Sequence, residues 1–150
     1  MTRITILIAA AFVAACAGGT AGGSAAAIRA EAISPALGVD LAEYTRTPEG
    51  LYYKDVTVGD GPAAGVASRV TVAYRGLLAN GTQVDSSTGL TFRLRQDPII
   101  KGWKIGVPGM KVGGSRILII PPELGYGFRE VGPIPPNSTL IFRVQLIRVL

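Results

Sequence analysis

Among the residue types that could do chemistry, those missing from this chain are the most informative. The sequence contains no histidine and one cysteine, Cys16. A serine or cysteine nucleophile activated by histidine is therefore excluded, and so is a zinc site built from histidine and cysteine ligands. A single cysteine also excludes a disulfide within the chain. The chemistry that remains uses hydroxyls, backbone groups, carboxylates, cations or the shape of an apolar site, and we expect neither a metal nor a cofactor.

Cys16 closes an apolar N-terminal segment. A basic start at Arg3 is followed by an apolar stretch of roughly a dozen residues, shorter than the ~20 of a membrane span and typical of a secretory signal peptide. Its last residues, Val13-Ala14-Ala15-Cys16, resemble a bacterial lipobox. We expect residues 1–15 to be a lipoprotein signal peptide and the Cys16 thiol to carry the lipid. Cleavage by the general signal peptidase, which would release a free protein, is the alternative.

The residues after the cysteine read as a spacer. Residues 17–27 are all Gly, Ala, Ser or Thr, and we expect 16–47 to form a flexible linker that begins at the lipidated cysteine. Scattered apolar residues follow, but Pro35 and Gly38 allow only a short helix. These features predict an exported, periplasm-facing protein anchored to a membrane, and Ala17 after the cysteine favours the outer membrane over the inner one.

The charge of the chain is basic but dispersed. The net charge is +5, and from Pro48 onward twelve basic residues accompany seven acidic ones. The basic residues occur singly along predicted strands, as at Arg143 and Arg148, without the clusters and interleaved aromatic residues of a nucleic-acid site. The pattern indicates a solvated face, and no nucleic-acid partner is expected.

Residues 48–150 are expected to form the folded domain, built mainly from strands. Alternating apolar and polar side chains predict strands at Leu51 to Val58, Val70 to Arg75, Leu90 to Arg95 and Phe142 to Leu146. Thr82 to Asp85 is predicted as the return strand of a hairpin, and the β-prone run Arg116 to Ile120 as a strand that ends at Pro121-Pro122. Asn80-Gly81 predicts the hairpin turn that precedes this return strand. Ile147 and Arg148 break the alternation, which indicates a bulge or the end of the last strand.

One short helix interrupts the strands. Asp97 suits an N-cap and Pro98 the first helical position, while Gly106 is a plausible stop. Ile99, Ile100 and Trp103 fall at spacings of three and four, so they would share one face of this helix. An antiparallel sheet with one helix to cover it is an α+β domain.

Six segments in this order resemble the FKBP-type peptidyl-prolyl cis-trans isomerases. They are Val72 to Gly76, Gly81 to Ser87, Ile99 to Trp103, Gly109 to Gly113, Ile119 to Gly127 and Ile134 to Phe142. The resemblance covers roughly residues 66–150, and Pro48 to Tyr53 is similar to the lead-in strand of secreted bacterial members. It implies a curved antiparallel β-sheet wrapped around one short α-helix, with an apolar active-site pocket between them.

The resemblance also implies which residues form that pocket. Carried over position by position, the catalytic residues would be Tyr74, Asp85, Tyr126 and Phe142, and the substrate-binding residues would be Val84, Leu90, Phe92, Ile99, Ile100, Trp103 and Ile134. Trp103 would form the floor, Ile100 would offer a backbone N–H and Tyr126 a phenolic O–H. Asp85 would order the polar edge of the pocket.

Two positions depart from the family pattern. Val84 stands where most members carry Phe, and Leu90 stands at another usually aromatic position. The segment from Ser87 to Phe92 is also shorter than in small cytosolic members. We therefore expect a wider and less aromatic pocket.

The implied function is isomerisation of prolyl bonds in exported polypeptides during folding. The implied ligands are proline-containing unfolded or partly folded chains and macrolide inhibitors. A weakly active or inactive binding or chaperone module of the cell envelope is one alternative, which the two departures favour. A structural envelope lipoprotein is another.

Overall fold

The computed structural model describes residues 33–150, and its strands form one antiparallel sheet. The strands are β1 (Thr45–Arg46), β2 (Tyr52–Thr57), β3 (Arg69–Leu78), β4 (Gln83–Arg93), β5 (Ser115–Ile120) and β6 (Leu140–Val149), and the helix is α1 (Lys101–Gly106). They pair in the order β1-β2-β5-β6-β3-β4, always antiparallel. This arrangement confirms the predicted α+β architecture of an antiparallel sheet with one short helix.

The main core lies between the inner face of the sheet and α1. Alternate residues of the central strands point inward and are fully buried: Val70, Val72, Leu118, Ile120, Leu140, Val144 and Leu146. The helix approaches closely because Gly102 has no side chain. A Cβ atom on Gly102 would lie 2.7 Å from Cδ1 of Ile120, so a larger residue would push α1 off the sheet.

The β3–β4 hairpin is confirmed at Asn80-Gly81, although its turn differs from the expected type. Only Gly81 has a positive φ (91°), and the Asn80 side chain accepts a 2.9 Å hydrogen bond from the backbone N–H of Thr82. The prediction of two strands after the turn is wrong, because Gln83–Arg93 is one continuous strand. Ser86 and Ser87 continue the pairing with β3 that their polar side chains did not suggest.

β4 contains two bulges. Gly76 and Leu77 on β3 pair with Asp85 and Gln83, so Val84 is an extra residue in the ladder. A second shift lies between the pairs Val72–Leu90 and Tyr74–Ser87. Each bulge bends the strand and re-aims its side chains locally. The predicted bulge at Ile147 of β6 is also confirmed, since Arg148 pairs with Thr71 and Leu146 with Val72.

The helix begins later than the sequence predicted. Asp97 does not cap it, because its carboxylate accepts a 2.7 Å hydrogen bond from the backbone N–H of Arg93. The chain then runs through Pro98 to Ile100, the N-cap, whose backbone is extended (φ −61°, ψ 148°). The end at Gly106 agrees with the prediction. The consequence is a loop before α1 that faces the site described below.

The outer face of the sheet is partly covered by residues 33–44. Ile33 packs with Ile119 and Ile141 in a second apolar cluster, and the Ser34 N–H donates to the carbonyl of Ala79 at 2.7 Å. Two short 3-10 turns, Pro35–Leu37 and Leu41–Glu43, lead to β1. This part of the expected flexible linker is therefore packed on the sheet, because outward apolar residues at one end of the sheet need a cover.

The N-terminal predictions lie outside the described residues. The signal peptide 1–15 and the lipidated Cys16 precede Ile33, where the description begins. Within residues 33–150, no helix is long and apolar enough to cross a membrane.

Candidate active site

Trp103 is the centre of an aromatic cluster on the inner face. It lies on α1 and contacts Tyr74 at 4.9 Å between ring centroids and Phe142 at 5.3 Å, both edge to face. Phe92 packs beside it at 5.3 Å with a tilted ring. The indole Nε1 of Trp103 is buried with no hydrogen-bond partner among residues 33–150, which costs roughly 1–3 kcal/mol. Such a local violation is typical of functional sites.

The ring of Phe142 is accommodated by a glycine on the neighbouring strand. Gly76 on β3 pairs directly with Phe142 on β6. A Cβ atom on Gly76 would lie 2.6 Å from Cε1 of Phe142, which is too close for any side chain. The ring thus packs directly against Gly76 of β3, and it also contacts the rings of Tyr74 and Trp103.

The polar edge of the site is a tyrosine–aspartate pair. The Tyr74 hydroxyl donates a 2.7 Å hydrogen bond to Oδ2 of Asp85, and Oδ1 of Asp85 accepts from the Ser86 N–H at 2.8 Å. Burial, reinforced by the hydrogen bond to Asp85 and its negative charge, raises the pKa of Tyr74 well above its usual value. Burial and the same carboxylate raise the pKa of Tyr126. Both phenols therefore keep their protons at neutral pH and can donate hydrogen bonds.

The loop before α1 supplies the backbone donor. The Ile99 N–H donates to the Asp97 carbonyl at 2.9 Å, and the Ile100 carbonyl accepts the first hydrogen bond of the helix. The Ile100 N–H itself has no backbone acceptor within the described residues. Tyr126, after the 3-10 turn Pro122–Leu124, lines the same cleft as this loop. An N–H and an O–H are therefore available at one site.

These groups line a single cleft of about 230 Å³. Its lining residues are Tyr74, Asp85, Leu90, Pro98, Ile99, Ile100, Trp103, Tyr126 and Phe142. Pro98 is the one that the sequence reasoning missed as a site residue. The sequence pattern predicts only a helix start at Pro98, but an Asp-Pro pair just before two residues implied in the pocket is a signal that points to the site.

Three residues that the resemblance implied do not line the cleft. Val84 is the extra residue of a β4 bulge and packs half-buried against the core. Phe92 lies beside Trp103 with 4% exposure, and Ile134 is buried at 6%. Phe92 supports the floor through its contact with Trp103. The apolar side chain of β4 that does line the cleft is Leu90, which is 37% exposed.

The lining of the cleft favours a reaction that depends on how an uncharged part of the substrate fits against it. No set of three or more His, Cys, Asp or Glu side chains in residues 33–150 is placed to hold a metal ion. Three concavities among the described residues are larger, but two of them are each lined by the two arginines Arg75 and Arg143, and the third has no aromatic lining residue. The inner cleft combines an apolar floor with N–H and O–H groups, which suits a peptide segment held by its carbonyl oxygens.

Comparison with known proteins points to one family. The family of FKBP-type peptidyl-prolyl cis-trans isomerases matches residues 61–147, more than half of the chain. The FK506-binding protein of Neisseria meningitidis serogroup B is 47% identical over 105 residues, covering 67% of this chain and 96% of that protein. The crystal structure of AtFKBP13 matches with a TM-score of 0.67 at 40% identity, covering 72% of this chain and 99% of that one.

Other relatives are much longer than the matched region. FK506-binding protein 4 of Dictyostelium discoideum is 50% identical over 103 residues, which is 67% of this chain but 28% of that protein. The family match at residues 61–147 contains β3, β4, α1, β5, most of β6 and every residue that lines the cleft. On the family match, the fold and the extent of identity, the chain belongs to the FKBP-type peptidyl-prolyl cis-trans isomerase family.

Proposed function

We propose that this protein is a peptidyl-prolyl cis-trans isomerase that assists the folding of exported polypeptides. The observation that carries the proposal is the cleft floored by Trp103, with the Ile100 N–H and Tyr126 at its sides. A prolyl residue would lie on the indole, and the adjoining carbonyl groups would accept hydrogen bonds from the loop and from the phenol. Leu90, which departs from the family pattern, makes its side of the cleft aliphatic and leaves that side partly exposed to solvent.

The energetics of the reaction suit such a cleft. The cis and trans forms of an X-Pro bond differ by about 0.5–1 kcal/mol, but amide resonance places a barrier of about 18–20 kcal/mol between them. No covalent bond breaks during the rotation. Twisting removes the resonance and reduces the charge separation of the amide, so an apolar surface binds the twisted form better than either planar form. Catalysis then follows from differential binding.

The test is a protease-coupled isomerisation assay with proline-containing peptides. Phe142→Ala removes a wall of the cleft, and we expect kcat/KM to fall about 10- to 100-fold. Tyr126→Phe removes one hydrogen bond worth about 0.5–1.5 kcal/mol, which corresponds to a three- to tenfold loss. Phe128→Ala is the matched control, because Phe128 follows on the same loop but is 86% exposed and does not line the cleft.

Binding can be followed separately from catalysis. Trp103 is the only tryptophan in the sequence, so its fluorescence reports occupation of the cleft. If a peptide changes this fluorescence but the protein does not accelerate isomerisation of the peptide, the binding-module hypothesis would replace the enzyme hypothesis. Equal activity of wild type and Phe142→Ala would contradict the assignment of the cleft.

We further propose that the protein is exported and held at a membrane by a lipid on Cys16. The tetrapeptide Val13-Ala14-Ala15-Cys16 supports this, and so does the position of the single cysteine at its end. Each buried lipid CH₂ contributes about 0.8 kcal/mol, and stable anchoring requires more than one chain. Cys16→Ser should move the protein into the soluble fraction, whereas membrane retention of this variant would refute the anchor. Density fractionation of the envelope would then distinguish the outer from the inner membrane.

A further inference from the structure

The outer face of the sheet carries charge of one sign. Strand pairing places Thr71 and Thr91 on this face, where their hydroxyls lie 2.8 Å apart. On β2 to β6, the charged side chains that share this outward direction are Lys54, Arg69, Arg75, Arg93, Arg143 and Arg148. No outward position of β2 to β6 holds an acidic residue. The strand acids Asp55 and Asp85 point inward, to Arg116 and to Tyr74.

Cations on this face oppose one another directly. Arg75 on β3 pairs with Arg143 on β6, and Arg69 on β3 pairs with Arg93 on β4. Like charges at directly opposed positions destabilise a sheet. The described acids neutralise two of the six cations, since Lys54 contacts Glu43 and Arg93 lies 3.5 Å from Asp97. Stability alone therefore does not explain why these arginines lie together.

This face holds the charge surplus of the described domain. Residues 33–150 contain thirteen basic and nine acidic residues, a surplus of four. The outer face contributes six cations against two contacting acids, which is also a surplus of four. The dispersed basic residues of the sequence therefore converge on one surface once the strands are paired. Arg75 and Arg143 line two concavities there, of about 560 and 470 Å³.

The chain reaches this face from its N-terminal side. Ile33 packs on Ile119 and Ile141, next to the arginines along the same strands, and thirty-two residues precede it. The cleft lies on the opposite face, beneath α1. A partner that covers the outer face would therefore leave the cleft open. A basic face that lies opposite the cleft meets the requirements for docking on an extended anionic surface.

We propose that the outer face, centred on Arg75 and Arg143, docks the domain on a membrane rich in anionic lipid headgroups. Juxtamembrane basic groups each strengthen binding to such a surface. The concavity of about 560 Å³ beside the arginines, which no acidic residue lines, accepts a headgroup phosphate, and the half-buried hydroxyl of Ser115 adds a hydrogen-bond donor. Docking orients the cleft away from the membrane and does not require the lipid on Cys16.

The test measures partition of the full chain carrying Cys16→Ser onto vesicles of pure phosphatidylcholine and onto vesicles rich in phosphatidylglycerol. The readout is the ratio of the two partition coefficients, because the apolar N-terminal segment contributes to both. Arg75→Gln with Arg143→Gln should lower this ratio about tenfold or more. Lys101→Gln with Lys104→Gln removes the same charge from α1, on the opposite side of the sheet, and should change it little.

Salt and a soluble polyanion complete the test. Raising the ionic strength from about 0.05 M to about 0.5 M should abolish the preference for anionic vesicles, because screening shortens the reach of exposed charges. Equal ratios for the outer-face and helix variants would overturn the proposal. Binding of poly-glutamate without preference for anionic vesicles would overturn it in favour of an acidic polypeptide partner. Thermal unfolding verifies that both variants fold.

Discussion

Tyr74 and Asp85 are joined across β3 and β4 by a 2.7 Å hydrogen bond from the phenol to Oδ2. The bond fixes the orientation of a ring that contacts Trp103 edge to face. Asp85 is itself held by the backbone N–H of Ser86. The carboxylate thus acts on the cleft through the tyrosine ring.

Asp85→Ala and Tyr74→Phe should therefore have coupled effects on catalysis. Each change breaks the same hydrogen bond, so each should lower kcat/KM about three- to tenfold, and the double variant should be little worse than either single one. The measurement is a double-mutant cycle in the isomerisation assay. Additive losses would show that the two side chains act independently.

Alkaline pH should weaken the fold through its buried tyrosines. The pKa of Tyr74 is raised in the folded protein from 10.0, mainly by burial and next by Asp85. The stability that its protonated form supplies is complete below pH 10.0 and is lost as the pH rises, because the unfolded chain releases its proton first. Unfolding free energies across this range should fall less steeply for Tyr74→Phe. An identical slope for the variant and wild type would contradict the raised pKa, and tyrosinate absorbance gives a direct check.

Gly76→Ala should disturb the ring of Phe142. The added methyl would lie 2.6 Å from Cε1, and overpacking of this kind typically costs about 1–3 kcal/mol. We expect lower unfolding free energy and weaker peptide binding by Trp103 fluorescence. Combining Gly76→Ala with Phe142→Leu should relieve part of the loss, since the shorter side chain leaves room. An undiminished loss in the double variant would mean that the strain lies elsewhere.

Asp55→Ala should destabilise the protein more than removal of an exposed ion pair. Nε of Arg116 donates to Asp55 at 2.6 Å, and Nη1 donates to the Gly106 carbonyl at 2.8 Å, which ties the end of α1 to β2 and β5. Arg116 is 11% exposed, so leaving it without its carboxylate should cost about 2–3 kcal/mol. Glu43→Ala, which breaks an exposed pair with Lys54, should cost under ~1 kcal/mol. Chemical denaturation compares the two, and equal costs would refute this role of Arg116.

Ile33→Ser should lower stability although it lies in the expected linker. Ile33 is 5% exposed and covers Ile119 and Ile141, so the change should cost roughly 2 kcal/mol. Val58→Ser is the matched control, because Val58 is 73% exposed and should change stability by less than ~0.5 kcal/mol. Equal unfolding midpoints for both variants would show that residues 33–44 do not stabilise the domain.

The alternation of apolar and polar residues predicted the strands that bury one face. It failed where the extent of a strand depends on pairing with a strand distant in the sequence. β6 alternates clearly because its inward residues form the core, whereas β5 is apolar on both faces because Ile119 is covered by Ile33. β4 was divided in two because its middle, Ser86 to Gly89, carries no apolar side chain. That stretch is held by its neighbour β3, which local sequence does not reveal.

Local signals failed where one side chain had two competing partners. Asp97 could cap a helix or accept from the Arg93 N–H, and the second contact delayed the start of α1. The family resemblance implied most of the lining of the cleft, but the bulge at Val84 depends on the register of β3 and β4. The cover formed by residues 33–44 had a signal in the sequence, namely apolar Leu77, Ile119 and Ile141 at outward positions.

The bulges of β4 also govern how a long polypeptide meets this molecule. β4 is the edge strand of the sheet beside the cleft. An unbroken edge strand of eleven residues would be a template on which an extended chain could pair as a further strand. Interrupting its ladder in two places removes that template. A polypeptide bound in the cleft would therefore not also pair as a strand along β4, which would keep its contacts local and favour its release.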